Sequence, residues 1–127
     1  MAKIKLLVDT DIFIEYFNSG LFSSILEGRG FSIYYSTVTK KELLSKKGLK
    51  DSQRKAILSV LRKYGIIRID AKISSTYSSL RQKHPILEKE DALITATALV
   101  KKLPLITRNW KHYKNIEGLT LFTGKAL

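Results

Sequence analysis

Asp9 and Asp11 stand one residue apart at the end of the apolar run Leu6-Leu7-Val8, and an apolar helical pattern begins directly after them. Carboxylates so placed can bind a cation or handle a proton if other oxygen donors converge on them. Three further segments offer such donors. Glu42 follows an aromatic stretch in Thr39-Lys40-Lys41-Glu42, Asp91 precedes the Ala- and Thr-rich segment 92–99, and Thr107-Arg108-Asn109 follows Leu105-Ile106. The chain has no cysteine, and neither His84 nor His112 has a second histidine at metal-binding spacing. A site assembled from these residues is a hard-oxygen site, suited to Mg²⁺ or Mn²⁺.

Each residue also has a local role open to it. Asp9 or Thr10 can cap the helix that follows, and Asp11 in a first turn is favoured by the helix dipole. The spacing from Thr39 to Glu42 fits a capping box, and for Glu42 taken alone that reading is the stronger. Thr107 and Asn109 are natural residues for a strand-to-loop turn. Asp91 differs from these. The segment after it has almost no polar face beyond threonine, so an acid on its inner side is costly to bury without compensation.

The elements that must position these groups alternate. Leu6-Leu7-Val8 is too short and too uniformly apolar for a half-wet strand and reads as one buried on both faces, as in parallel sheets under helices. Helices are predicted over 12–17, 21–27, 39–47, 51–64 with Asp51 or Ser52 as cap, 71–83 ending before Pro85, and 88–102 stopped by Pro104. Further strands are predicted over 31–36, 66–69, 105–106 and 119–122. Strands alternating with helices, without repeats or a low-complexity linker, give a three-layer α/β/α sandwich with a mainly parallel five-stranded sheet. In such sheets the ligand site lies beyond the carboxyl ends of the strands, which is where Asp9 and Thr107 stand.

Composition bounds the rest. The 127 residues, 44% apolar and 27% charged, read as one ordinary globular domain over 1–127. No run approaches the roughly 18 apolar residues of a membrane span, and the start of the chain lacks a signal peptide's apolar core. The expectation is a cytoplasmic protein with no membrane partner. A net charge of +12 points to a polyanionic partner, with nucleic acid first. Lysine for solubility, or for heat adaptation in a chain poor in Asn, Gln, Cys and Met, accounts for part of that charge. An acidic rim in a strongly basic chain is the combination expected of a metal-dependent nuclease.

At this point the chain resembles a PIN domain, the fold of the VapC-type toxin ribonucleases. Leu7-Val8-Asp9-Thr10-Asp11-Ile12-Phe13-Ile14 resembles the family's first motif, and Ser36-Thr37-Val38-Thr39-Lys40-Lys41-Glu42-Leu43-Leu44 its second. Asp91-Ala92-Leu93-Ile94-Thr95-Ala96-Thr97-Ala98-Leu99, with Leu103-Pro104-Leu105-Ile106-Thr107-Arg108-Asn109 after it, resembles the third and fourth. Residues 51–85 carry no motif. The resemblance implies a sheet in the order 3-2-1-4-5 and hydrolysis of RNA phosphodiesters. It makes Asp9, Glu42 and Asp91 the acid triad holding Mg²⁺ or Mn²⁺, with Asp11 and Asn109 as auxiliary ligands and Thr10 and Thr107 beside them. It further implies a homodimer and a cognate antitoxin that inserts a basic side chain into the acidic pocket, with the helices at 12–17 and 21–27 as candidate interfaces. Two departures stand out: Asp11 occupies a position where the family usually has Asn, and Asn109 one where it often has Asp, which removes a charge from any second metal site. Lys40, Lys41, Arg108, Lys111 and Lys114 flank the motifs and are the candidate RNA contacts.

Two rival readings follow from the same residues. One is a PIN-like RNA-binding or RNA-processing domain with weak or no nuclease activity, motivated by the missing fourth carboxylate. The other is a phosphatase, because Asp9-Thr10-Asp11 mimics the Asp-x-Asp pair of haloacid-dehalogenase-like enzymes. That chemistry also needs a lysine and a later acidic pair, where this chain offers Thr107 and Asn109.

Overall fold

In the computed structural model, which describes residues 2–123, Leu6, Leu7 and Val8 have no exposed surface at all. That is the state of a strand covered on both faces. This strand, β1 (Ile4–Val8), lies inside a sheet ordered β3-β2-β1-β4, with β2 at Phe31–Ser36, β3 at Gly65–Ile67 and β4 at Leu105–Ile106. All three pairings are parallel. The fifth strand expected over 119–122 is reduced to a single parallel bridge between Leu105 and Leu121. Leu105 N–H donates to Thr120 O at 2.9 Å, and Phe122 N–H to Leu105 O at 2.8 Å. With only two residues in β4, nothing is left on which to build a longer ladder. The place of the bridge, outside β4, keeps the order 3-2-1-4-5.

Seven helices occur among the described residues: α1 (Thr10–Ser19), α2 (Ser23–Leu26), α3 (Thr37–Leu44), α4 (Asp51–Leu61), α5 (Ala71–Lys83), α6 (Lys89–Lys101) and α7 (Trp110–Tyr113). Because side chains alternate along a strand, the sheet divides its residues between two cores. Leu6, Val8, Ile33, Tyr35 and Ile106 pack with Ile12 and Phe13 of α1, Ile25 and Leu26 of α2, Leu43 of α3, and Ile57 and Leu61 of α4. Leu7 and Leu105 pack on the opposite face with Ile73 and Leu80 of α5, four residues of α6, Tyr113 and Ile116. The result is the expected α/β/α sandwich. The chain runs outward from β1 to β2 and β3, then returns to pair β4 with the other side of β1. Direction therefore reverses between β1 and β4, and the crevice beyond their carboxyl ends is where such sheets bind ligands.

Three local expectations change. α4 is capped by Lys50 rather than by Asp51 or Ser52: the Lys50 N–H donates to Gln53 Oε1 at 2.9 Å, and Asp51 pairs with Lys55 at 3.3 Å. The apolar residues of α1 and α2 are mostly core, leaving Ile14 of α1 and Leu21, in the turn between the two helices, on the surface at 45% and 48% exposure. α7 has no counterpart in the sequence reading, since four residues are too few to show a periodicity. Among the described residues no helix is long and apolar enough to cross a membrane.

Candidate active site

Asp9 is the first residue past β1 and is only 4% exposed. Its two oxygens divide the two roles open to it. Oδ1 accepts the Thr10 N–H at 2.8 Å and caps α1, while Oδ2 faces the crevice and accepts the Thr107 hydroxyl at 2.7 Å. The hydroxyl of Tyr113 donates to the same Oδ2 at 3.4 Å. Thr107 in turn accepts the Asn109 N–H at 3.1 Å, so the turn after β4 is locked to the end of β1.

Asp11, one residue into α1, turns Oδ2 to the Arg108 N–H at 3.2 Å. Its Oδ1 is buried and, among the described residues, has no hydrogen-bond partner. Buried oxygens are nearly always satisfied, so an orphan of this kind calls for an explanation.

Glu42 reaches the rim from α3. The capping-box reading fails because α3 begins at Thr37 and is capped by Ser36, whose Oγ accepts the Val38 N–H at 3.1 Å. Glu42 is thus well inside the helix, and its Oε1 accepts the Thr10 hydroxyl at 2.7 Å. Thr10 has one proton and it points to Glu42, so the 2.9 Å contact with Thr39 Oγ1 is Thr39 donating to Thr10. Thr39, read from the sequence only as a capping-box partner of Glu42, completes this relay.

Asp91 stands in the first turn of α6, half-buried. The helix behind it buries Thr95 and Thr97, whose hydroxyls donate to the carbonyls of Asp91 and Leu93, each at 2.8 Å. Turning inward on their own helix, those threonines leave the packed face effectively apolar.

Tyr113 was not among the expected site residues, and no motif marks it. It is 1% exposed, and its phenol lies against Asp9 and Asp91. Burial first, then the charges of those two acids, drives its pKa far up, so it stays a protonated donor.

The electrostatics are those of acids crowded beyond comfort. Burial, then the Asp11 charge and more weakly that of Asp91, pushes the Asp9 carboxyl up to about 7, against the donors Thr107 and Thr10. Burial also raises Asp11, opposed chiefly by the Arg108 N–H, and raises Glu42, opposed by Thr10 and helped by Glu90, Asp91 and Asp11. Thr107→Val removes a donor that favours the charged form of Asp9. It should therefore move that carboxyl upward by about one unit, readable by ¹³C NMR titration of the aspartates. An unmoved titration would show that Thr107 does not hold the Asp9 charge.

The structure brings Asp9, Asp11, Glu42, Asp91, Thr10 and Thr107 to one rim. Among the described residues, no three acidic or imidazole side chains close directly on one point. Asn109 is exposed and shares a cleft with Asp91. Lys40 and Lys41 flank Glu42 on α3, half-buried and exposed respectively. The Arg108 guanidinium is tied to Glu15 at 2.6 Å. Lys111 and Lys114 lie 5.9 and 5.8 Å from the centre of the Trp110 ring.

Comparison with known proteins adds relatives to this geometry. Ribonuclease VapC1 of Methanocaldococcus jannaschii is 29% identical over 125 residues, covering 93% of this chain and 87% of the relative. A toxin–antitoxin complex from Klebsiella pneumoniae contains a chain 32% identical, with 91% and 95% coverage and a TM-score of 0.76. VapBC2 from Rickettsia felis, bound to a DNA fragment from its promoter, is 23% identical with 94% and 98% coverage and a TM-score of 0.77, a likeness of fold. The family model described as PIN domain matches residues 6–118. That match runs from β1 past α7 and takes in every acid of the rim, so the chain belongs to the PIN domain family.

Proposed function

We propose that this protein is a metal-dependent endoribonuclease and the toxin of a toxin–antitoxin pair, one domain over residues 1–127 in which Asp9, Glu42 and Asp91 hold Mg²⁺ or Mn²⁺. The observation that carries this reading is Asp9 itself: a carboxyl raised to about 7 by burial and, after that, by its neighbours Asp11 and Asp91. Acids are kept in such an arrangement when a cation relieves it. The donors fit: all are oxygens, and the unpartnered Asp11 Oδ1 is a buried acceptor with room for a further bond. Direct closure by three carboxylates is not required of Mg²⁺, which commonly keeps several waters and takes one or two carboxylates plus substrate phosphate.

When bound, the cation supplies charge neutralisation and polarisation at the scissile phosphodiester. The chain's own residues do the rest. Thr107 and Tyr113 fix Oδ2 of Asp9, Thr10 fixes Oε1 of Glu42, and the Arg108 backbone holds Asp11. Lys40, Lys41, Lys111 and Lys114 contact the RNA backbone, while Arg108, paired with Glu15, braces the loop.

The antitoxin reading rests on the relatives and on a groove. Ile14, Phe17, Leu43 and Leu49 line a depression of about 380 Å³ whose lining also includes Glu42 and Lys46. A tail with apolar side chains and one basic group fits it and would bring that base to the acids. A homodimer is what the resemblance to PIN-domain toxins implies.

The experiment is RNA cleavage by the purified chain in Mg²⁺ or Mn²⁺, beside the same protein in chelator and beside Asp91→Asn. Cleavage should need the metal, and the variant should lose about a hundredfold or more. Equal activity in chelator ends the metal-dependent reading. A non-cutting RNA binder is the second reading, favoured by the open spacing of the acids. It predicts RNA binding with no thermal shift on adding Mn²⁺.

A further inference from the structure

Beside Asp91 lies a cleft of about 700 Å³ whose lining, apart from Asp91 and Asn109, has no part in the site described above. One wall is the loop joining α5 to α6, with His84 and Ile86. The other is α7 and the turn after it, with Asn109, His112 and Asn115. Leu87 and Ile116, 8% and 6% exposed, form an apolar floor, and Ile86 stands on the lip at 95% exposure. Ile86 shares this lining with two imidazoles and two amides, the mix of apolar surface and a few polar groups found in ligand pockets.

We propose that this cleft takes an unpaired nucleobase of the RNA, in the nucleotide next to the phosphate held at the carboxylates, and that His84 and His112 select which base it is. The proposal rests on the ribonuclease reading and adds the subsite that gives it sequence preference. Three features favour RNA. The cleft opens on Asp91, so a strand with its phosphate at the acids places its neighbouring nucleotide there. Flat imidazoles and amide edges over an apolar floor are what proteins use to stack and read splayed-out single-stranded bases. Lys83 borders the cleft, and Lys111 and Lys114 sit against Trp110 on α7, supplying cations for the flanking phosphates in a chain of charge +12. The volume suits one nucleotide with its waters, within the range of roughly 300–1,000 Å³ for ligand pockets. Pro85 ends α5 and commits His84 and Ile86 to a projecting loop, a usual carrier of recognition.

The test uses the full chain and a single-stranded RNA library randomised at the nucleotides flanking one phosphodiester, with the products sequenced. The wild type should favour one base at one flanking position. His84→Ala and His112→Ala should each raise KM about tenfold, flatten that preference alone, and change kcat less. His112→Gln, which keeps a hydrogen-bonding edge, should recover part of the preference. Melting temperatures would confirm that these surface variants fold. A second readout needs no catalysis: Asp9→Asn protein in chelator, titrated with a fluorescent tetranucleotide, should bind about tenfold more weakly once His84→Ala is added. Unchanged KM and base preference in both histidine variants overturn the proposal. So does weakened binding of a co-purified protein partner with RNA binding intact, which would make the cleft a peptide site. If the wild type cuts no RNA while tetranucleotide binding still depends on both histidines, the ribonuclease reading falls and the base pocket stands.

Discussion

Asp9→Asn should lower RNA cleavage by about 10²- to 10³-fold and, in chelator at neutral pH, make the protein more stable than wild type. Both effects come from one carboxylate. In the folded chain the Asp9 carboxyl is pushed up to about 7, against its ordinary 3.8, because it is buried beside Asp11 and Asp91. The folded state therefore holds this proton more tightly than the unfolded chain does. Below about pH 3.8 both states are protonated and Asp9 has no effect on stability. Between 3.8 and 7 stability falls as pH rises, and above 7 the whole penalty is present. Asparagine keeps the oxygen that caps α1 and removes the charge, so the variant should gain on the order of 2–4 kcal/mol at pH 8 and nothing near pH 3. Urea unfolding of both proteins in chelator across that range measures the difference. Parallel curves would mean that the Asp9 carboxylate carries no buried strain, and the case for a cation at this place would lose its main support. With Mn²⁺ present the order should reverse, because binding to the folded state alone adds to stability.

Phe13→Ala should cost about 3–5 kcal/mol, a large share of the roughly 5–15 kcal/mol that holds a domain of this kind together. Phe13 has no exposed surface and sits among three aromatic rings. Tyr35 meets it edge-on with centroids 6.0 Å apart, Tyr64 lies at 6.2 Å and Phe17 stacks at 6.5 Å. Tyr64 is itself anchored, its hydroxyl donating to Leu26 O at 2.7 Å, so the cluster cannot easily collapse into the space left behind. Phe13 also clamps α1, the helix that carries Thr10 and Asp11 and is capped by Asp9. Cleavage should therefore fall with the folded fraction in a urea titration rather than independently of it. Phe13→Leu, which retains most of the volume, should cost less than half as much. A loss below about 1 kcal/mol for the alanine variant would show that α1 is held by something other than this aromatic cluster.

Much of this molecule is legible in its sequence. The run Leu6-Leu7-Val8 announced a strand buried on both faces, and alternating short strands and amphipathic helices implied the layered sheet. Once the strands are parallel, residues at their carboxyl ends share one edge whatever the loops do. That is why Asp9 and Thr107 could be placed together, and why the lack of cysteine and of paired histidines limited any metal there to oxygen ligands. These conclusions depend on patterns within windows of a few residues and on the directionality of parallel sheets. The tertiary structure decided what those patterns cannot carry. Glu42 looked like a capping-box residue; its partner is Thr10, 32 positions earlier. Tyr113 looked like nothing in particular; its hydroxyl meets Asp9 across 104 positions. The fifth strand shrank to one bridge because β4 has two residues to offer, and Arg108 was drawn into a pair with Glu15. Each outcome depends on which rotamer and which loop path brings distant groups within about 3 Å, the reach of a hydrogen bond. Local propensity determines the elements and the edge on which the acids gather; only the packed chain determines that both oxygens of Asp9 are held while, among the described residues, Asp11 Oδ1 is left without a partner.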